Sequence, residues 1–125
     1  MLAKEMLERA LKRTEHLGPR GIALSILGVV AFLAAEPNHM RSREILASLT
    51  DRLVDCYQRE ASEGWAWFEP TITYDNALLP LALFQSYGIT GERASLRVAR
   101  ESLEFLETIC FETSQLVLVG NSGWH

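Results

Sequence analysis

Residues 64–77 hold the side chains with the greatest capacity for chemistry in this chain. The segment GWAWFEPTITYDNA combines two of the three tryptophans with two carboxylates, a tyrosine and an asparagine. Aromatic rings bury large apolar areas, and carboxylates and amides form directional hydrogen bonds with hydroxyl groups. Since a sugar ring presents both kinds of surface, the segment favours carbohydrate over nucleic acid or lipid. The substrate-binding candidates in it are Trp65, Trp67, Glu69, Tyr74, Asp75 and Asn76.

Glu69 and Asp75 are a weak candidate for a catalytic pair. Glycoside cleavage uses two carboxyl groups about 5–10 Å apart, one as the acid and the other as the base or nucleophile. The residues between them could span that distance. In the structural alternative, Asp75 caps the following helix and Glu69 pairs with an amide or an arginine.

Trp65 and Trp67 also have two interpretations. Either indole could stack on a sugar ring, or it could fill the end of a helix pair. Because residues two apart point to opposite sides of an extended backbone, each tryptophan could do one of these. Tyr74 and Asn76 are open to the same alternatives, ligand contact or packing and capping.

A second polar segment lies at residues 120–125, where Asn121 and Trp124 are further binding candidates. His125 could exchange protons near neutral pH, or it could simply be exposed at the chain end. His16 and His39 have no partner at metal-ligand spacing, so we expect no metal site. The sequence shows no glycine-rich phosphate loop, Gly-x-Ser-x-Gly or Walker pattern, so we expect neither a cofactor nor a nucleotide-sugar site.

Composition excludes several classes of partner. The net charge of −4 and pI near 5.4 argue against nucleic acid, which needs a basic face. The apolar run 22–35 is 14 residues long, short of the roughly 20 that span a bilayer, and predicts a helix buried on all sides. Cys56 and Cys110 fall on apolar helix positions and are predicted to be buried free thiols, which together with the lack of a signal peptide favours the cytoplasm.

Apolar periodicity and Gly/Pro punctuation predict five helices and one short extended piece at 116–119. The first, third and fifth helices are amphipathic, and the second and fourth are apolar nearly all round. This alternation indicates a two-layer array, with apolar helices in an inner row and amphipathic helices outside. Gly64-Trp65 and Gly123-Trp124 form a weak repeat, each pair following an outer-type helix. The predicted helices are 2–17, 21–35, one from 42, one from 75 or 76 to 88, and 92–112.

The segment GWAWFEPTITYDNALLP resembles the (α/α) helical-toroid domain of many bacterial glycosyltransferases, which belongs to the six-hairpin glycosidase-like folds. There the pattern is W-x-W-F-E, a variable stretch, then Y-D-N-A-x-L-P. Residues 119–124, VGNSGW, are similar to that family's next loop, V-G-N-x-G-W, and the resemblance runs from residue 5 to residue 125. It implies a single all-α domain over residues 1–125, a partial toroid of two and a half helical hairpins, where members of the family continue for several more.

The resemblance implies a role in holding or guiding glycan, or in supporting a mannosyltransferase-like catalytic partner that carries the nucleotide-sugar site. Two alternatives stay open: a sugar hydrolase- or epimerase-like fragment using Glu69 and Asp75, and a helical-repeat scaffold for protein interaction. The open edge of the partial toroid predicts that the isolated chain either self-associates into a homo-oligomer or is weakly stable.

Overall fold

The structure is a computed structural model that describes residue 9, residues 18–72 and residues 77–115, of which 111–115 by backbone alone. It confirms the all-α prediction. The described residues form four long helices and no strand, apart from an isolated bridge between Ser62 and Trp65. The first predicted helix lies outside the described residues except for Arg9, which is helical. The four helices are α1 (Pro19–Ala35), α2 (Met40–Glu60), α3 (Leu78–Thr90) and α4 (Arg93–Gln115).

Local signals explain where α1 and α2 begin. Pro19 takes the first turn of α1, where its missing N–H costs nothing and its fixed φ suits the helix. His39 caps α2, because its Nδ1 accepts the backbone N–H of Ser42 at 3.2 Å. The prediction that this helix begins near Ser42 is therefore two residues late, since it did not consider a histidine as the cap.

The bounds of α3 differ from the prediction at both ends. The residue before its first turn is Ala77, with no side-chain cap, so a start at 75 or 76 is wrong. Pro80 lies within the first turn, where proline is tolerated. The helix continues through Gly88 and ends at Thr90, and Gly91 then adopts φ +70° and donates its N–H to the carbonyl of Tyr87 at 2.8 Å. A left-handed glycine is a common helix terminator.

The four helices pack as two neighbouring hairpins. Short connections at 36–39 and 91–92 make α1–α2 and α3–α4 antiparallel pairs. The apolar helices α1 and α3 pack closely against each other, and the amphipathic helices α2 and α4 also touch. This agrees with the predicted placement of apolar and amphipathic helices in two rows.

The apolar helices are not buried on all sides, and that prediction for residues 22–35 is wrong. Leu24 of α1 is 58% exposed and Leu81 of α3 is 45% exposed. Among the described residues α1 packs against α2 and α3, while α3 packs against α1, α4 and, less extensively, α2, and each of the two keeps an exposed face. None of the described helices combines the length and apolarity required to span a membrane.

The two thiols have different environments. Cys56 is buried in the core and Cys110 is exposed, and neither forms a disulfide with a described residue. The prediction of burial is therefore wrong for Cys110, which lies near the carboxyl end of α4.

A hydroxyl pair joins α2 to α3 inside the core. Thr50 Oγ1 donates to the carbonyl of Leu46 at 2.7 Å and lies 2.7 Å from Ser86 Oγ. Thr50 has one hydroxyl hydrogen, so Ser86 is the donor in the second bond. Both side chains are fully buried, and the bond satisfies them where water cannot reach.

Candidate functional site

The connection from residue 61 to residue 77 places the predicted site at one end of the molecule. It joins the carboxyl end of α2 to the amino end of α3. Because the hairpins are antiparallel, the amino end of α1 and the carboxyl end of α4 lie at the same end. The polar connection is thus surrounded by the ends of four helices.

A tight turn opens this connection and fixes its first tryptophan. Ser62 and Trp65 exchange two backbone hydrogen bonds, each of 2.9 Å, around Gly64. Gly64 has φ +82°, a conformation that glycine adopts without the strain of a Cβ. The turn sends Trp65 back towards α4.

Trp65 is half-buried and joins the loop to α4. Its indole Nε1–H donates to the backbone carbonyl of Glu69 at 2.9 Å. Its ring meets the ring of Phe105 at a centroid distance of 5.1 Å and an interplanar angle of 73°, an edge-to-face contact. Trp65 as a whole keeps part of its surface exposed.

Trp67 lies in the core. It is 0% exposed and contacts Phe68 edge-to-face at 5.2 Å, and Phe68 in turn contacts Tyr57 at 5.3 Å. Its ring therefore seals the end of the helix array and offers no face to a ligand. The Nε1–H of Trp67 has no hydrogen-bond partner among the described residues.

Glu69 is half-buried, and its Oε1 is shielded from solvent with no hydrogen-bond donor among the described residues. A buried carboxylate oxygen without a donor raises the free energy of the folded state, because it has lost its hydration without replacement. Among the described side chains of this loop, Glu69 is therefore the one with a buried acceptor that lacks a hydrogen-bond donor.

The remaining predicted residues lie outside the described part of the chain. The pairing of Glu69 with Asp75 stays a prediction, and so does the role of every residue in the second segment. These residues are Tyr74, Asp75, Asn76, Asn121, Trp124 and His125.

A cavity of about 540 Å³ opens beside the loop, and the sequence did not indicate it. It lies between the carboxyl half of α2, the turn at 61–66 and α4. No sequence signal identifies it, because its carboxylates resemble those of any solvated helix face. Its lining residues are Tyr57, Ala61, Ser62, Ala66, Glu101, Glu104, Phe105 and Thr108.

A hydrogen-bonded carboxylate stands at the wall of this cavity. The hydroxyl of Tyr57 donates to Glu101 Oε1 at 2.9 Å, and Arg97 Nη1 lies 3.4 Å from the same oxygen. Burial, followed by the hydrogen bond to Glu101 and the charge of that residue, raises the pKa of Tyr57 from 10.0 to about 12. The phenol therefore stays protonated and keeps donating throughout the physiological range.

Within the described ranges, no group of three or more His, Cys, Asp or Glu side chains is arranged to hold a metal ion. No family model matches the chain, and no curated protein or solved structure matches it significantly. The resemblance to the glycosyltransferase-associated toroids consequently rests on the residue pattern of 64–80 and 119–124.

Proposed function

We propose that this chain is a carbohydrate-binding helical domain, and that residues 61–77 hold the glycan. The observation that carries the proposal is the half-buried Glu69, whose Oε1 has no hydrogen-bond donor among the described residues. A sugar hydroxyl is a suitable donor to its carboxylate, and a hydrogen bond to a charged carboxylate is stronger than one between neutral groups. The half-buried Trp65 is linked to the same residue, because its indole Nε1–H donates to the backbone carbonyl of Glu69.

The arrangement of the helices supports the toroid interpretation as part of the same proposal. In a toroid, inner helices pack side by side and turn one face towards the central cavity. α1 and α3 pack side by side, and their open faces include Leu24 and Leu81. In this proposal the glycan enters at the end where the loop lies, and a separate catalytic domain supplies the nucleotide-sugar site.

The proposal is tested by isothermal titration calorimetry of the full chain against mono- and oligosaccharides and nucleotide sugars. We expect saturable binding of one sugar class, with a nucleotide sugar binding no more tightly than its parent sugar. Glu69→Gln removes the charge with little change of shape and should weaken binding about tenfold, the loss expected for a hydrogen bond to a charged group. Glu63→Gln is the matched control, since Glu63 is exposed in the same turn.

Unchanged circular dichroism and unfolding midpoints would separate a binding defect from a folding defect. Absence of heat across the whole sugar panel would overturn the proposal and favour a protein-interaction scaffold. Equal affinities of the Glu69→Gln and Glu63→Gln variants would show that Glu69 is not the acceptor.

A further inference from the structure

We propose that the cavity between α2, the turn at 61–66 and α4 binds a second sugar ring of the same glycan. This inference rests on the carbohydrate-binding function proposed above and adds a subsite to it. The cavity is a depression that is largely open to solvent, and its volume of about 540 Å³ leaves room for one sugar ring with its hydroxyl groups.

The lining of the cavity combines an apolar surface with hydrogen-bond acceptors. Phe105 supplies an aromatic ring, and the small side chains of Ala61 and Ala66 leave the space beside it open. Glu101 and Glu104 supply carboxylate oxygens. A sugar ring matches this lining, because its C–H groups pack on an aromatic ring while its hydroxyl groups donate to carboxylates.

The donors in the lining are largely engaged within the protein. The hydroxyl of Tyr57 donates to Glu101, and the hydroxyl of Thr108 donates to the backbone carbonyl of Glu104 at 3.0 Å. The lining thus presents mainly acceptors, so its ligand has to be rich in donors. Sugars meet this requirement without carrying a charge.

Charge favours a neutral ligand over a cationic one. Arg97 already lies 3.4 Å from Glu101 Oε1 and offsets the charge of that carboxylate. Glu104 alone among the lining carboxylates makes no ion pair with a described residue. A single exposed carboxylate attracts a cation weakly in water, whereas it remains a good acceptor for a hydroxyl group.

Trp65 connects this cavity to the first site. Its ring contacts Phe105 in the cavity wall, and its Nε1–H is bonded to the carbonyl of Glu69. In this proposal the glycan lies across Trp65, the residue that contacts both Glu69 and the cavity wall. One ring would occupy the first site, and a neighbouring ring the cavity.

The test compares sugars of increasing length on two cavity variants of the full chain. Ala66→Leu narrows the cavity beside Phe105, and Glu104→Gln removes an acceptor charge from an exposed side chain without removing packing. Glu107→Gln is the matched control, because Glu107 is exposed on α4 outside the lining. We expect both cavity variants to weaken oligosaccharide binding about tenfold in calorimetry, with monosaccharide affinity unchanged.

The variants distinguish the two proposals. Glu69→Gln should weaken binding of sugars of every length, whereas the cavity variants should remove only the gain from added rings. Wild-type oligosaccharide affinity in both cavity variants would overturn the cavity subsite alone, and so would displacement of the oligosaccharide by a simple alkylammonium ion at the cavity. Absence of binding to any sugar by the wild-type chain would overturn both proposals.

Discussion

Removing the donor and removing the acceptor of the buried hydroxyl pair between α2 and α3 should lower stability by different amounts. Ser86 donates to Thr50, whose own hydroxyl hydrogen goes to the carbonyl of Leu46. Ser86→Ala removes one hydrogen bond and leaves no donor unpaired, so it should lower the free energy of unfolding by about 1 kcal/mol. Thr50→Val leaves the Ser86 hydroxyl as a fully buried donor without a partner, and should cost about 2–3 kcal/mol.

The double variant, Thr50→Val with Ser86→Ala, completes a double-mutant cycle. With both partners replaced by apolar groups of similar shape, no unpaired donor remains, and the loss should return to about 1 kcal/mol. The two single losses would therefore exceed the double loss by about 2–3 kcal/mol, a coupling in the range expected for residues in direct contact. Thr50 lies in the first hairpin and Ser86 in the second, so this coupling measures one contact between the two hairpins.

Urea unfolding followed by far-ultraviolet circular dichroism would give the four free energies. Ser48→Ala, at an exposed position of the same helix, is the control and should stay within about 0.5 kcal/mol of wild type. Additive losses, or a larger loss for Ser86→Ala than for Thr50→Val, would refute the assignment of donor and acceptor.

Two further predictions concern the backbone and the buried phenol. Gly91 has φ +70° with no atom near the position of an added Cβ, so Gly91→Ala should lower the free energy of unfolding by about 1 kcal/mol through backbone strain alone. Gly28 lies on the exposed face of α1 and is equally free of neighbours, so Gly28→Ala should raise the free energy of unfolding by about 0.5–1 kcal/mol. If urea unfolding showed that both variants change stability in the same direction, the argument would be contradicted. The pKa of Tyr57 near 12 exceeds the unperturbed 10.0, so the folded state binds the phenol proton more tightly and its stabilisation is lost as pH rises from 10 to 12. A phenolate absorbance titration, from which the Tyr57→Phe signal is subtracted, measures this pKa. Glu101→Gln should lower the pKa of Tyr57 but leave it above 10, because burial is the largest cause of the shift. A pKa of 10 for Tyr57 in the wild-type protein would disprove the account.

Local sequence determined the type and the approximate extent of the described helices. Apolar spacing and the positions of glycine and proline act within one or two turns, so they predict the helices without the fold. The predicted start of α1 at 21 and end of α3 at 88 nevertheless missed Pro19 and Gly91, which mark the observed bounds. The misplaced starts of α2 and α3 show the limit of such signals. His39 caps by a ring nitrogen that is not a usual capping group, and the residue before α3 is Ala77, which carries no capping side chain.

Tertiary structure decided which apolar and aromatic side chains are buried. Trp65 and Trp67 lie two residues apart in one motif, yet one reaches the loop surface and the other fills the core. Their exposure depends on whether α4 or the interior of the array lies on that side of the backbone. For the same reason Leu24 and Cys110 are exposed, although the sequence pattern places both at apolar helix positions.

In the candidate site, too, one part could be identified from the sequence and the other only from the fold. The loop and its candidate Glu69 were identified from residue types alone, because a dense mixture of aromatic and hydrogen-bonding side chains is visible in any sequence. The cavity was not, since Tyr57 comes from α2, Ala66 from the loop and Phe105 from α4. Residues so far apart in the chain meet only because the two hairpins pack side by side, and that packing depends on the fit of whole helix faces rather than on any short segment.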